Sequence, residues 1–146
     1  MTEISVTVAV PTLAADSALE QCLAALAAQT GTGVEVVVVD NSGQGLVRRK
    51  GLAGDWVRVI ESARNQGFGA AINAVYRATS APFIAALNDD AVAGSGWAEA
   101  LVAAAERDER AGMCASRILL AGSGTLDSAG MLIARDASSK RRGSRC

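Results

Sequence analysis

Apolar positions follow two alternating rhythms along this chain. Ile4 to Val10 is a short β-branched run ending at Pro11-Thr12, the pattern of a buried first strand. Leu19, Cys22, Leu23 and Leu26 then recur at i, i+3, i+4 and i+7, one stripe of an amphipathic helix. Ser17 with Glu20 three residues later predicts a capping box at its start, and Gly31 and Gly33 predict its stop. Val34 to Val39 is an unbroken apolar run closed by Asp40-Asn41-Ser42-Gly43, a second buried strand and its turn.

The alternation continues downstream. Gln44 to Gly54 suits a short helix, and Trp56 to Ile60 a third strand. Gly69 to Ala78 reads as a helix with Ile72, Val75 and Tyr76 on one side. Phe83 to Leu87 reads as a fourth strand ending at Asn88-Asp89-Asp90. Gly96 to Arg107 is a further helix with Trp97, Leu101 and Ala104 or Ala105 inward, and Met113 to Leu120 a fifth strand. After the turn at Gly122-Ser123-Gly124, Thr125 to Ala134 suits one strand or a hairpin. Strands and helices in this alternation predict the α/β class, an open, mostly parallel Rossmann-like sheet with flanking helices. Residues 1–134 form the expected domain. Residues 135–146 hold Arg135, Lys140, Arg141, Arg142 and Arg145 with almost nothing apolar, and are expected to be a mobile basic tail.

Composition narrows the chemistry. The chain has 146 residues, half of them apolar, and a formal charge of −1, so it can bury a core and carries no general field for nucleic acid. No apolar run reaches the roughly 18–20 residues that span a bilayer, and the start Met1-Thr2-Glu3 lacks a basic signal region. A cytoplasmic location is the resulting expectation. Cys22, Cys114 and Cys146 are odd in number and far apart, which suits neither a disulfide framework nor a zinc site. Cys22 and Cys114 read as small core residues and Cys146 as exposed. Histidine is absent, which excludes Ser-His and Cys-His nucleophile pairs. Carboxylates and backbone amides must carry the chemistry.

Ligands of open α/β sheets bind beyond the carboxyl ends of the strands, where strand order reverses. The polar clusters stand at those ends: Pro11-Thr12, Asp40-Asn41-Ser42 and Asn88-Asp89-Asp90. They converge if the first strand is central, with the second and fourth on either side. Asn88-Asp89-Asp90 offers hard oxygen ligands for Mg²⁺ or Mn²⁺, and the same residues also suit a turn or helix cap. Asp40 could accept from a ribose hydroxyl or a base N–H, and Asp-Asn-Ser-Gly is equally good turn chemistry. Asn65-Gln66-Gly67-Phe68-Gly69 opens a helix whose N-terminus favours phosphate. Gly67-x-Gly69 also imitates a dinucleotide fingerprint. However, Ile72 holds the third glycine position, and the glycines follow the third strand, not the first.

In order and spacing, four segments resemble glycosyltransferase family 2, of the GT-A fold, and especially its rhamnosyltransferase-like branch. They are Val8-Ala-Val-Pro-Thr12, Glu35 to Ser42, Asn65 to Asn73, and Leu87-Asn-Asp-Asp90 with Gly96-Trp97 beyond. Arg117-Ile118-Leu119 and Leu126-Asp-Ser-Ala-Gly130 also look like that branch. The likeness covers about residues 4 to 134 and is to the nucleotide-sugar-binding half of the fold, so it implies a truncated domain. It implies that Pro11, Thr12, Asp40, Asn41, Asn65, Gly67, Asn73, Asn88 and Asp89 surround a UDP- or dTDP-sugar, with Asp40 on the base. Asp90 matches the final carboxylate of the family's DxD-like motif and would bind Mg²⁺ or Mn²⁺. Asn88 stands where many relatives have Asp, and Trp97 would pack. The implied reaction inverts the anomeric centre, with a general base further along the chain than Cys146. The implied acceptor is a hydroxyl of a glycan or lipid-linked molecule, with possible peripheral membrane contact through the basic tail.

Two other functions suit parts of this pattern. A non-catalytic nucleotide-binding fragment of such an enzyme would share the donor site without turnover. A nucleotidyltransferase would share the sheet and metal, but Pro11-Thr-Leu-Ala-Ala-Asp16 has neither the glycine nor the basic residue of its phosphate loop.

Overall fold

A computed structural model describes residues 4–29, 33–136 and 138–143. The expectations for Met1 to Glu3, Gly31, Arg145 and Cys146 lie outside those residues. The chain divides into two compact units, Met1–Val102 and Ala103–Cys146.

The first unit is built on parallel strands β1 (Val6–Thr12), β2 (Val34–Asp40), β3 (Val57–Glu61) and β4 (Phe83–Ala86), in the order β3-β2-β1-β4. The first strand is therefore central, between the second and the fourth, as the convergence of polar tips requires. Val6 pairs with Val34 and Phe83, and Thr12 pairs with Asp40. The connecting helices are α1 (Ser17–Ala27), α2 (Leu46–Arg49), α3 (Phe68–Ala78) and α4 (Trp97–Glu106).

Strand alternation sorts the valines onto two faces. Val6, Val8, Val10, Val36 and Val38 meet Leu19, Cys22, Leu23 and Leu26 of α1, Val47 of α2 and Ala98 of α4. Ala9, Val37 and Val39 meet Ala71 and Val75 of α3 on the opposite face. Burying each such valine or leucine contributes about 1.5–3 kcal/mol, and the double cover explains why β1 and β2 carry apolar residues on both faces. At the far end of the sheet from the polar tips, the Thr7 hydroxyl donates to Glu35 Oε2 at 2.7 Å and Thr79 Oγ1 lies 3.2 Å from the same oxygen. Arg58 Nη1 donates to Ala78 O at 2.8 Å. These bonds moor the C-terminal end of α3, which sets where its N-terminal end meets the strand tips.

Several local expectations give way. The cap of α1 is Asp16, not Ser17: its side chain accepts from Ala18 N and Leu19 N, which a carboxylate one residue earlier reaches directly. That helix ends at Ala27, before its glycines. Tyr76 is 70 % exposed, because α3 turns its small Ala71 to the sheet together with Val75. A small residue there lets the helix axis come closer than a tyrosine would. No described helix is long and apolar enough to cross a membrane.

The second unit pairs β5 (Ile118–Leu119) with β6 (Leu126–Ser128), and β7 (Met131–Ile133) with β8 (Ser139–Arg141), both antiparallel. The expected fifth strand from Met113 to Leu120 shrinks to two residues and joins no described strand of the parallel sheet. Cys114 lies outside any strand and is half-buried, unlike the core residue expected. Thr125 to Ala134 supplies two strands that pair with other segments and not with each other. Part of the basic stretch expected to be mobile is β8, where Arg141 Nη1 bonds Asp127 Oδ1 at 2.5 Å.

Candidate functional site

At the end of β1, Thr12 is buried, and its hydroxyl lies 2.6 Å from both Ala14 O and Asp89 Oδ2. A hydroxyl has one hydrogen, so these two acceptors compete for it. The contact with Asp89 ties the β1 tip to the acidic turn after β4. That turn is held from beneath by Asn88 O, which accepts from Ala91 N at 3.2 Å and from Cys22 Sγ at 3.6 Å. Cys22 looked like plain core in the sequence, and nothing there pointed to this bond. Burial pushes its thiol up to about 11, with Asp89 and Asp90 adding to the shift, so it stays a protonated donor. Asp89 is half-buried, while Asn88 and Asp90 are exposed.

Asp40, beside Thr12 on β2, faces another way. It is 1 % exposed. Oδ1 accepts from Ser42 N at 3.0 Å and Ser42 Oγ at 2.5 Å, and Oδ2 from Val47 N at 2.9 Å, with Leu46 N adding support. Burial alone would raise the Asp40 pKa, but the donors from Ser42, Val47 and Leu46 outweigh it and hold the carboxyl below its ordinary value. A carboxylate offers about four lone-pair sites, and the bonds from Ser42 and Val47 take three of them. Asp40 therefore caps α2 and shapes the turn. Gly43 completes that turn at φ 72°, where an added Cβ would lie 2.8 Å from Ala63 O; only glycine lets the two loops approach so closely.

The next residue points toward α3. Asn41 is 3 % exposed; its N–H donates to Thr12 O at 2.8 Å and its Nδ2 to Gly67 O at 3.3 Å. Asn41 Oδ1 is buried and has no hydrogen-bond partner among the described residues. Gly67 has φ 83° and heads α3, with its N–H bonded to Asn65 Oδ1 at 2.8 Å and no side chain capping the helix. One bonded line thus runs from Asp89 through Thr12 and Asn41 to Gly67 and Asn65. Pro11 lies half-buried one residue before Thr12, in register with Val39. Asn73 is not on this line: it is exposed along the flank of α3, beside a groove shared with Gln66 and Arg77.

Acceptors, an uncapped helix N-terminus and an acidic turn side by side suit a ligand that has donors, phosphate oxygens and a cation. The family model described as Glycosyl transferase family 2 matches residues 7–142. This chain belongs to glycosyl transferase family 2. Among solved structures, S. aureus TarS 1-349 superposes with TM-score 0.60 at 20% identity, covering 73% of this chain and 33% of that one. Mannosyltransferase PcManGT from Pyrobaculum calidifontis, in complex with GDP-Man and Mn²⁺, superposes with TM-score 0.59 at 21% identity, covering 80% and 36%. The parallel sheet with flanking helices of this family 2 chain is thus a GT-A-type fold, and the chain spans about a third of the length of these structures. No curated protein matches it.

Proposed function

We propose that the chain binds the nucleotide sugar of a glycosyltransferase, a UDP- or dTDP-sugar, across the line from Asn65 to Asp90. The observation that carries this reading is the buried, unpartnered Asn41 Oδ1 at the strand tips. A buried acceptor without a donor costs about 1–3 kcal/mol, which a ring N–H of uracil or thymine would recover once the Asn41 side chain turns its Oδ1 toward the open strand tips. On this reading Asn41, not the spent Asp40, takes the base, and Asp40 builds the turn that presents it. Pro11, Thr12, Asn65 and Gly67 frame the nucleoside, and the open amides at the head of α3 favour the diphosphate.

Among the described residues, no group of three or more His, Cys, Asp and Glu side chains could cage a metal ion. The turn still fits Mg²⁺ or Mn²⁺, which takes one or two carboxylates and completes its shell with diphosphate oxygens and water. Asp90 would hold it, with Asp89 and Asn88 alongside. A cation there neutralises charge growing on the leaving nucleoside diphosphate. Mn²⁺ in the mannosyltransferase structure supports the assignment. Thr12 keeps Asp89 aimed at the site.

The reaction we propose is inverting transfer to a hydroxyl of a glycan or lipid-linked acceptor, with dTDP-rhamnose the first donor to try, given the rhamnosyltransferase-like motifs. Donor binding without turnover is the second reading. Calorimetry of UDP with Mn²⁺, with chelator, and with Asp90→Ala tests the first step. Metal-dependent binding lost in the variant supports it, and equal affinity with and without metal refutes the cation site. Release of nucleoside diphosphate by the pure chain then separates transfer from binding alone.

A further inference from the structure

Along the flank of α3 runs a groove of about 370 Å³, lined by Ser62, Gln66, Asn73 and Arg77. That volume is within the roughly 300–1,000 Å³ of small-molecule sites. Asn73 and Arg77 are four residues apart on α3, so the helix period puts them on one face, and Gln66, just before the helix cap Gly67, lines the same groove. Ala70 and Ala74 stand between them and leave a floor without projecting side chains, on which a ring can lie.

The charges around this groove are uneven. Arg48 pairs with Glu61 at 2.8 Å and Arg58 with Glu35 at 3.4 Å. Arg77 has no hydrogen-bond or ion-pair partner among the described residues, and neither do the side chains of Gln66, Asn73 and Ser62. No carboxylate lines the groove. The last turn of α3 suits a cation, but that placement leaves all five guanidinium donors unused. The lining therefore combines a fork of charged donors with two amides and a hydroxyl that both give and accept. An oxoanion with hydroxyls beside it uses all of these at once.

We propose that this groove, which opens beside Ser62 at the end of β3 and runs along the flank of α3, is a second binding site for an anionic sugar such as a sugar phosphate or a uronate. Arg77 holds the oxoanion, and Gln66, Asn73 and Ser62 hold the ring hydroxyls. The site requires neither the cation nor the nucleotide of the donor reading.

NMR titration of the full chain tests it, following the side-chain amides of Gln66 and Asn73. Glucose 1-phosphate, glucuronate, glucose and inorganic phosphate are added to the wild type, Arg77→Gln and Asp90→Ala. The expected result is saturable shifts with either charged sugar, affinity about tenfold weaker in Arg77→Gln, and no change in Asp90→Ala. Arg77 is exposed, so its variant keeps the fold, which the same spectra show. Equal shifts with neutral glucose, undiminished affinity in Arg77→Gln, or inorganic phosphate binding as tightly as the charged sugars would each overturn the proposal. Loss of the response in Asp90→Ala would also overturn it, by tying the groove to the donor site.

Discussion

Two acidic tips flank the central strand, and their surroundings differ at every point. Asp40 at the end of β2 is 1 % exposed and accepts three hydrogen bonds from Ser42 and Val47. Asp90 beyond β4 is exposed and has no hydrogen-bond or ion-pair partner among the described residues. A carboxylate whose lone pairs are mostly filled by its own chain is part of the scaffold. One left open to solvent beside a fixed neighbour is available to a ligand. Both are aspartates on the carboxyl side of a strand that flanks β1, Asp40 as the last residue of β2 and Asp90 in the turn past β4; the bonding partners decide the role.

The sharpest way to break this contrast is Asp40→Ala. It leaves the buried amide of Val47 and the half-buried amide of Ser42 without an acceptor, so unfolding free energy should fall by about 2–4 kcal/mol in denaturant titration. A stability change as small as that of a surface substitution would refute the capping role. The pH dependence follows in sign. The folded-state pKa of Asp40 is lowered, so its contribution is complete above the ordinary carboxyl pKa of about 3.9 and is lost as pH falls through the lowered value. Acid unfolding of the wild type should therefore steepen below that point, and that part should vanish in Asp40→Asn.

Asp90→Ala should do the reverse. Stability stays within about 0.5 kcal/mol of wild type, while Mn²⁺-dependent UDP affinity falls about 100-fold by calorimetry. Asn41→Ala is the intermediate case. It removes an unpaired acceptor along with a long bond to Gly67, so stability shifts by less than about 1 kcal/mol, but UDP binds about tenfold more weakly. Unchanged UDP affinity would return the base to some other residue. The smallest effect concerns Cys22. Buried and protonated, it should resist alkylation at pH 8 in the native protein, while half-buried Cys114 reacts and unfolding exposes both. Rapid native labelling of Cys22 would mean that the turn above it opens.

The sheet was legible because the middles of β1, β2 and β4 are apolar runs between turn residues, a signal that comes from cover on both faces. A central β1 between β2 and β4 was only the condition for the polar tips to share a crevice, and the strand order meets it. The role of Asp40 was not legible: its partner helix α2, Leu46–Arg49, is too short to show a period. Nor was the split between Asp40 and Asn41, adjacent residues whose side chains diverge only once β2 and α3 are in place. Met113 to Leu120 misled because apolar residues suggest a strand without saying what it will pair with. In the structure Met113 is 89 % exposed. Asn73 shows the same limit, since its motif fixes its place on α3 but not which flank of the helix it shares with Arg77.

The strand order also bears on synthesis. β1 is made first, yet one of its two neighbours begins only at Phe83, with β2, β3 and α3 in between. A nascent chain leaving the ribosome can pair β1 with β2 early, but its other side stays bare until Ala86 has emerged. Non-local pairing of this kind is slow and exposes a sticky edge while it waits. Nascent chains arrested before Phe83 should thus bind chaperones far more strongly than those arrested after Ala86.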